Sequence, residues 1–147
     1  MAEQERGGDG AGAPGVLDPT DPLGELNIKL GIEIVDWTPE RMVATMPVAG
    51  NRQPYGILHG GASCVLAEML GSTAAAVAAP PGKFPVGVEI NATHHRSATA
   101  GRVTAVCTPL HRGRTLATFQ IEITDDAGRH TCTARLTCLY RDDQPRV

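Results

Sequence analysis

Between Gly60 and Gly82 this chain carries a single charge, the carboxylate of Glu68, in a run otherwise built of alanine, valine, leucine, methionine, glycine and small polar residues. Such a run predicts a helix that is apolar nearly all round, and a helix of that kind has to be covered by the rest of its domain. Pro80 and Pro81 stop it, so the spacing predicts one central, buried helix from Gly60 to about Ala78. With 147 residues, 41% of them hydrophobic and 20% charged, the chain can bury a sizeable core as one domain. A membrane span is not expected, because the run is built on alanine rather than leucine and holds Glu68, Ser63, Ser72 and Thr73.

The cover for that helix reads as sheet. In residues 115–124, Ala117, Phe119, Ile121 and Ile123 alternate with Thr118, Gln120, Glu122 and Thr124, the period of a half-buried strand. Asp125 to Gly128 form a turn, and residues 130–140 return with Cys132, Ala134, Leu136, Cys138 and Tyr140 on one face. Residues 31–37 and 41–47 predict a first hairpin, and residues 86–97 and 102–111 another around residues 98–101. The element order is then β β α β β β β, which one antiparallel sheet packed on one helix satisfies most simply. Residues 22–31 predict a helical turn or two, with Leu23, Leu26, Ile28 and Leu30 partly buried.

The first twenty residues are rich in glycine, alanine, aspartate and proline without hydrophobic period, so disorder is expected for 1–20, a domain for 21–141 and a short tail for 142–147. No apolar stretch follows a basic start, which argues for a cytoplasmic protein without a secretory signal. A net charge of −3 argues against a nucleic-acid surface. Cys64, Cys107, Cys132 and Cys138 form no CxxC pair, and neither an HExxH metal motif nor a GxxxxGK phosphate loop occurs, so reduced core thiols and chemistry without a metal or cofactor are expected.

The stretches RQPYGILHGGASCVLAEMLGS, GVEINATHHRSATAGRV and PLHRGR together resemble the hotdog-fold acyl-CoA thioesterases of the hydroxybenzoyl-CoA type that carry a glutamate on the central helix. The likeness is close to the subgroup acting on dihydroxynaphthoyl-CoA in menaquinone synthesis and on aryl carrier-protein thioesters in siderophore synthesis. It implies an α+β fold with about six antiparallel strands wrapped around the helix. It also implies that Glu68 is the catalytic nucleophile or general base, and that the Gly60 N–H polarises the thioester carbonyl. Gln53 and His59 would orient the thioester and the helix start, and Ser72 the water or the carboxylate. Elementary chemistry agrees, because an N–H at a helix N-terminus lies at the positive end of the dipole, where an oxyanion is stabilised. His94, Arg96 and Ser97, with Arg112, Gly113 and Arg114, could supply cations and donors to coenzyme A phosphates, the coenzyme being part of the substrate rather than a cofactor. His95 should face away from His94 and Arg96 by strand parity.

His59 and Glu68 are separated by roughly 13 Å of helix axis at 1.5 Å per residue, too far to meet on one carbonyl within a chain. Two copies packed with antiparallel helices would bring the Gly60 end of one to Glu68 of the other, which predicts a dimer with composite sites; the family implies a dimer of dimers, a homotetramer. Three alternatives stay open at this stage: a proofreading thioesterase on aryl or acyl carrier proteins, a hotdog hydratase or dehydratase, and a non-catalytic acyl-CoA-binding protein. The Gln53 position and the absence of a preceding His-Phe-Pro run in this chain count against the hydratase. Glu68 could also be a structural carboxylate paired with an arginine.

Overall fold

The computed structural model describes residues 23–142. The expected disorder of residues 1–20 and all of the C-terminal tail but Asp142 lie outside them. A short helix α1 (Gly24–Lys29) leads into strands β1 (Glu33–Thr38) and β2 (Arg41–Pro47), the long helix α2 (Gly60–Val77), and strands β3 (Phe84–His94), β4 (Arg102–Arg112), β5 (Leu116–Asp125) and β6 (His130–Arg141). The strands form one six-stranded antiparallel sheet in the order β1-β2-β4-β5-β6-β3. It curls round α2, which packs against β2 through β6. The element order and the wrapped helix are those read from the sequence.

The alternation predicted for the last two strands is realised residue by residue. Ala117, Phe119, Ile121 and Ile123 of β5 and Cys132, Ala134, Leu136, Cys138 and Tyr140 of β6 are buried against Leu66, Ala67 and Leu70 of α2. Asp125 organises the turn between these strands by accepting hydrogen bonds from the backbone N–H groups of Ala127 and Arg129. Tyr140 closes the other end by donating to the carbonyl of Ala75 at 3.0 Å. Burial pushes the thiol of Cys107 up to about 12 and those of Cys132 and Cys138 up to about 11, as fits reduced core residues. α2 has the length and mean hydropathy of a membrane span, 18 residues at 1.2, and is here a core helix.

Three expectations are corrected. β3 and β4 do not form a hairpin: β3 pairs with β6 at the edge of the sheet, while β4 lies between β2 and β5. The residues between them are a crossover rather than a turn. They traverse three strand spacings, about 14 Å, which seven residues span easily. Second, α2 is buried on one side only, because one curled sheet cannot enclose a helix; Cys64, Val65, Glu68 and Ser72 lie on its less covered face. Third, Leu26 and Ile28 of α1 are 55% and 56% exposed, and only Leu23 and Leu30 pack against the core. Six residues of helix cannot turn four apolar side chains to one surface.

Candidate active site

The loop before α2 is braced from within. The Asn51 side chain donates to the carbonyls of Leu30 and Pro47 at 2.8 and 2.9 Å, and its own carbonyl accepts the N–H of His59. Gln53 closes a tight turn, accepting the Gly56 N–H on its backbone carbonyl and the Tyr55 N–H on Oε1 at 2.8 Å. That contact fixes which end of the amide is which and leaves the NH2 group without a partner among the described residues.

His59 is the N-cap of α2, with extended backbone angles of −67° and 129°. Its Nδ1 accepts the N–H of Gly61 at 2.8 Å, so this nitrogen is unprotonated and the ring proton resides on Nε2. The N–H groups of Ala62 and Ser63 turn back to the His59 carbonyl. Of the four donors at the helix start, the N–H of Gly60 alone has no acceptor among the described residues. Replacing His59 by alanine should cost about 1 kcal/mol of stability through the lost cap, read as a lower denaturation midpoint.

Gly60 faces His94. A β-carbon at residue 60 would stand 2.9 Å from His94 Nε2, so the imidazole lies directly on the glycine. Gln53, Gly60, Ser63, His94, Arg96 and Ser97 line one depression of about 340 Å³, to which Leu58, Ala98 and Thr131 also contribute. Arg96 and Ser97 reach it because the crossover passes over the N-terminal end of α2, held by the Leu58 N–H on the Ala98 carbonyl at 2.8 Å and by Arg52 on the Thr99 carbonyl. His95 also borders the depression, although parity set it apart. The strand ends at His94, and the His95 ring bonds Thr133 and meets His130 edge-on.

Glu68 opens elsewhere. It lines a second depression of about 450 Å³ with Leu26, Val65, Met69, Ser72 and Ile90, a largely apolar basin. Ser72, one turn on, donates to Glu68 Oε1 at 3.3 Å, so the spacing of four does bring the two together. No salt bridge among the described residues involves Glu68.

Arg112, Gly113 and Arg114 are not brought to either depression. They form the β4–β5 turn at the C-terminal end of α2, where Arg112 is bound to Glu40 and to the carbonyl of Pro39 in the β1–β2 turn. Sequence reading missed Asn51, Ser63 and Thr131. Thr131 carries no signal that would have found it, because it falls on the strand parity opposite to Cys132 and Ala134; the structure buries it and its hydroxyl donates to the Ile123 carbonyl at 3.0 Å. No group of histidine, cysteine, aspartate and glutamate with metal-binding geometry occurs among the described residues.

A helix-start donor without an acceptor among the described residues, in one hollow, and a carboxylate bound by Ser72 in an apolar one suit the opening of a thioester bond, on a sheet-wrapped helix of hotdog type. The family model of the thioesterase superfamily matches residues 55–132. The chain is 46% identical over 124 residues to the 1,4-dihydroxy-2-naphthoyl-CoA hydrolase of Escherichia coli (strain K12), covering 82% of this chain and 91% of that protein. It is 47% identical over 116 residues to the proofreading thioesterase EntH of Cronobacter turicensis, covering 78% and 85%. A solved thioesterase from Haemophilus influenzae superposes with a TM-score of 0.76 at 41% identity, covering 79% of this chain and 82% of that one. The chain belongs to the thioesterase superfamily. Its activity is thioester hydrolysis.

Proposed function

We propose that this enzyme hydrolyses the thioester of an aromatic acyl-CoA, of the dihydroxynaphthoyl or hydroxybenzoyl type. The observation that carries the reading is the N–H of Gly60, without an acceptor among the described residues, at the positive end of α2 beside Gln53 and His94. Donors of this kind act on the charge that develops on the carbonyl oxygen, and each is worth about 10²–10³ in rate. The Gln53 amide and the His59 Nε2–H orient the thioester. Glu68, held by Ser72, either takes a proton from water as it adds to the carbonyl carbon or adds itself and is released by water. Both routes break the same C–S bond, consume one water, and release an acid and the coenzyme A thiol.

Gly60 and Glu68 border different depressions and stand about 12 Å apart along the helix axis. The reading therefore includes a homodimer in which the helix start of one copy meets Glu68 of the other, assembled further into a dimer of dimers. His94, Arg96 and Ser97 offer coenzyme A its polar contacts. Arg112, Gly113 and Arg114 would contribute only from another copy. The largely apolar basin beside Glu68 takes the acyl group. The reading keeps the cytoplasmic location and the link to menaquinone synthesis expected from the sequence, and hydrolysis without a metal.

Thiol release from benzoyl-, dihydroxynaphthoyl-, phenylacetyl- and hexanoyl-CoA tests it. The aromatic esters should be turned over fastest; release of thiol from none of them, or from hexanoyl-CoA best, would overturn the substrate class. The likeness to a proofreading thioesterase supports a second reading, in which the acyl group arrives on a carrier protein. Faster turnover of an aryl carrier-protein thioester than of the matching coenzyme A ester would favour it.

A further inference from the structure

We infer that Gly87 is a positioning residue for Glu68: the space where its side chain would stand is the seat of the catalytic carboxylate. This rests on the reading of Glu68 given above. Gly87 pairs with Cys138 of β6, whose side chain is buried under the sheet, so residue 87 faces the helix. A β-carbon built on Gly87 would overlap Glu68 Oε1 and lie 3.4 Å from Glu68 Cδ. Leu136 would be at an ordinary 3.7 Å, so the carboxylate is what excludes a side chain there.

The strand is shaped to deliver this contact. The β3–β6 register shifts between Gly87 and Glu89, leaving Val88 as a bulge. Before the bulge Pro85 and Gly87 face the helix, opposite Tyr140 and Cys138; after it Ile90, Ala92 and His94 do, opposite Leu136, Ala134 and Cys132. One extra residue therefore changes the phase of the strand, so that the same β3 presents a bare backbone to Glu68 and an imidazole to Gly60. In an unbulged strand starting from Gly87, residues 89, 91, 93 and 95 would face the helix in place of 90, 92 and 94. Ser72 donates to Oε1 from α2, and the bare backbone of Gly87 on β3 leaves that oxygen the space a side chain would take.

The experiment is Gly87→Ala, alone and combined with Glu68→Ala, with steady-state kinetics and thermal melts of all four proteins. Displacing a reacting group by about 1 Å costs about 10² in rate, so Gly87→Ala should lower kcat about 10²-fold and leave KM within about threefold. It should lower the melting temperature in the wild type and not in the Glu68→Ala background, because removing the carboxylate leaves room for the added methyl. If the single variant fails to fold while the double variant folds, the same conclusion holds. Wild-type kcat in Gly87→Ala, an equal loss of melting temperature in both backgrounds, or failure of both variants to fold would overturn the inference. Full activity of Glu68→Ala alone would instead overturn the catalytic reading of Glu68.

Discussion

Glu68→Gln should lower kcat for thioester hydrolysis about 10³-fold, the middle of the range for losing a general base and less than many nucleophiles supply. The substitution keeps the size and shape of the side chain and its ability to accept from Ser72, so the fold has little reason to change. Glu68 has no cation to lose among the described residues and one long hydrogen bond of 3.3 Å. A half-buried carboxylate with so little support costs stability rather than adding to it, and the melting temperature of Glu68→Gln should equal or exceed that of the wild type. Steady-state kinetics beside thermal melts check both halves. A variant that loses stability but keeps kcat would assign Glu68 a structural role.

Gly71→Ala should destabilise the fold by up to about 2 kcal/mol net. Two effects oppose each other. Alanine gains about 1 kcal/mol over glycine in a helix interior, while forcing an extra methyl into a packed core costs about 1–3 kcal/mol. The geometry decides between them: a β-carbon at residue 71 would stand 2.6 Å from Leu136 Cδ2 and 3.1 Å from Leu136 Cβ. The second atom is next to the β6 backbone and cannot swing away, so α2 itself has to lift from the sheet. Urea titration measures the loss, and Gly71→Ala should cost less in a Leu136→Ala background than in the wild type, because that background removes Cδ2 and leaves only the Cβ contact. Because α2 carries both Gly60 and Glu68, kcat should fall as well.

Much of the fold was legible because its signals are local. The apolar run around Glu68 specified α2, and the alternation of Phe119, Ile121 and Ile123 against Gln120 and Glu122 specified a strand with one wet face. Strand neighbours were less legible. The residues before and after Ala98 look like a hairpin in sequence, yet which strand pairs with which is decided by how a sheet closes round a helix, a property of the whole chain. The bulge at Val88 left no mark that a single sequence shows, since an exposed valine on an edge strand is unremarkable.

The same division holds for the site. Glu68 and Ser72 share a helix face as a spacing of four requires, and Gln53, Gly60, His94, Arg96 and Ser97 gather at one hollow. The motif register put them in view; the crossover that carries Arg96 and Ser97 there was invisible. Arg112 has the charge of a phosphate ligand but is engaged by Glu40 at the other end of the helix, and charge alone gives no position. Gly87 was passed over because a glycine in a strand says only that something comes close, without saying what.

The measurement that bears most directly on the composite site mixes two inactive forms. Gly60→Pro removes the N–H and, through its β-carbon, displaces the His94 imidazole of the same chain, while retaining a residue suited to the first helical position after the extended backbone of His59. Glu68→Gln removes the carboxylate. With random assortment of the two chains, half of the dimers are mixed and each mixed dimer holds one intact site, so about a quarter of the wild-type activity should return. Unfolding and refolding the parents together, then measuring thiol release, gives the answer. Recovery near that level means that Gly60 and Glu68 of different chains act on one thioester; activity no higher than that of either parent would mean that they act within one chain, and the composite site would be wrong.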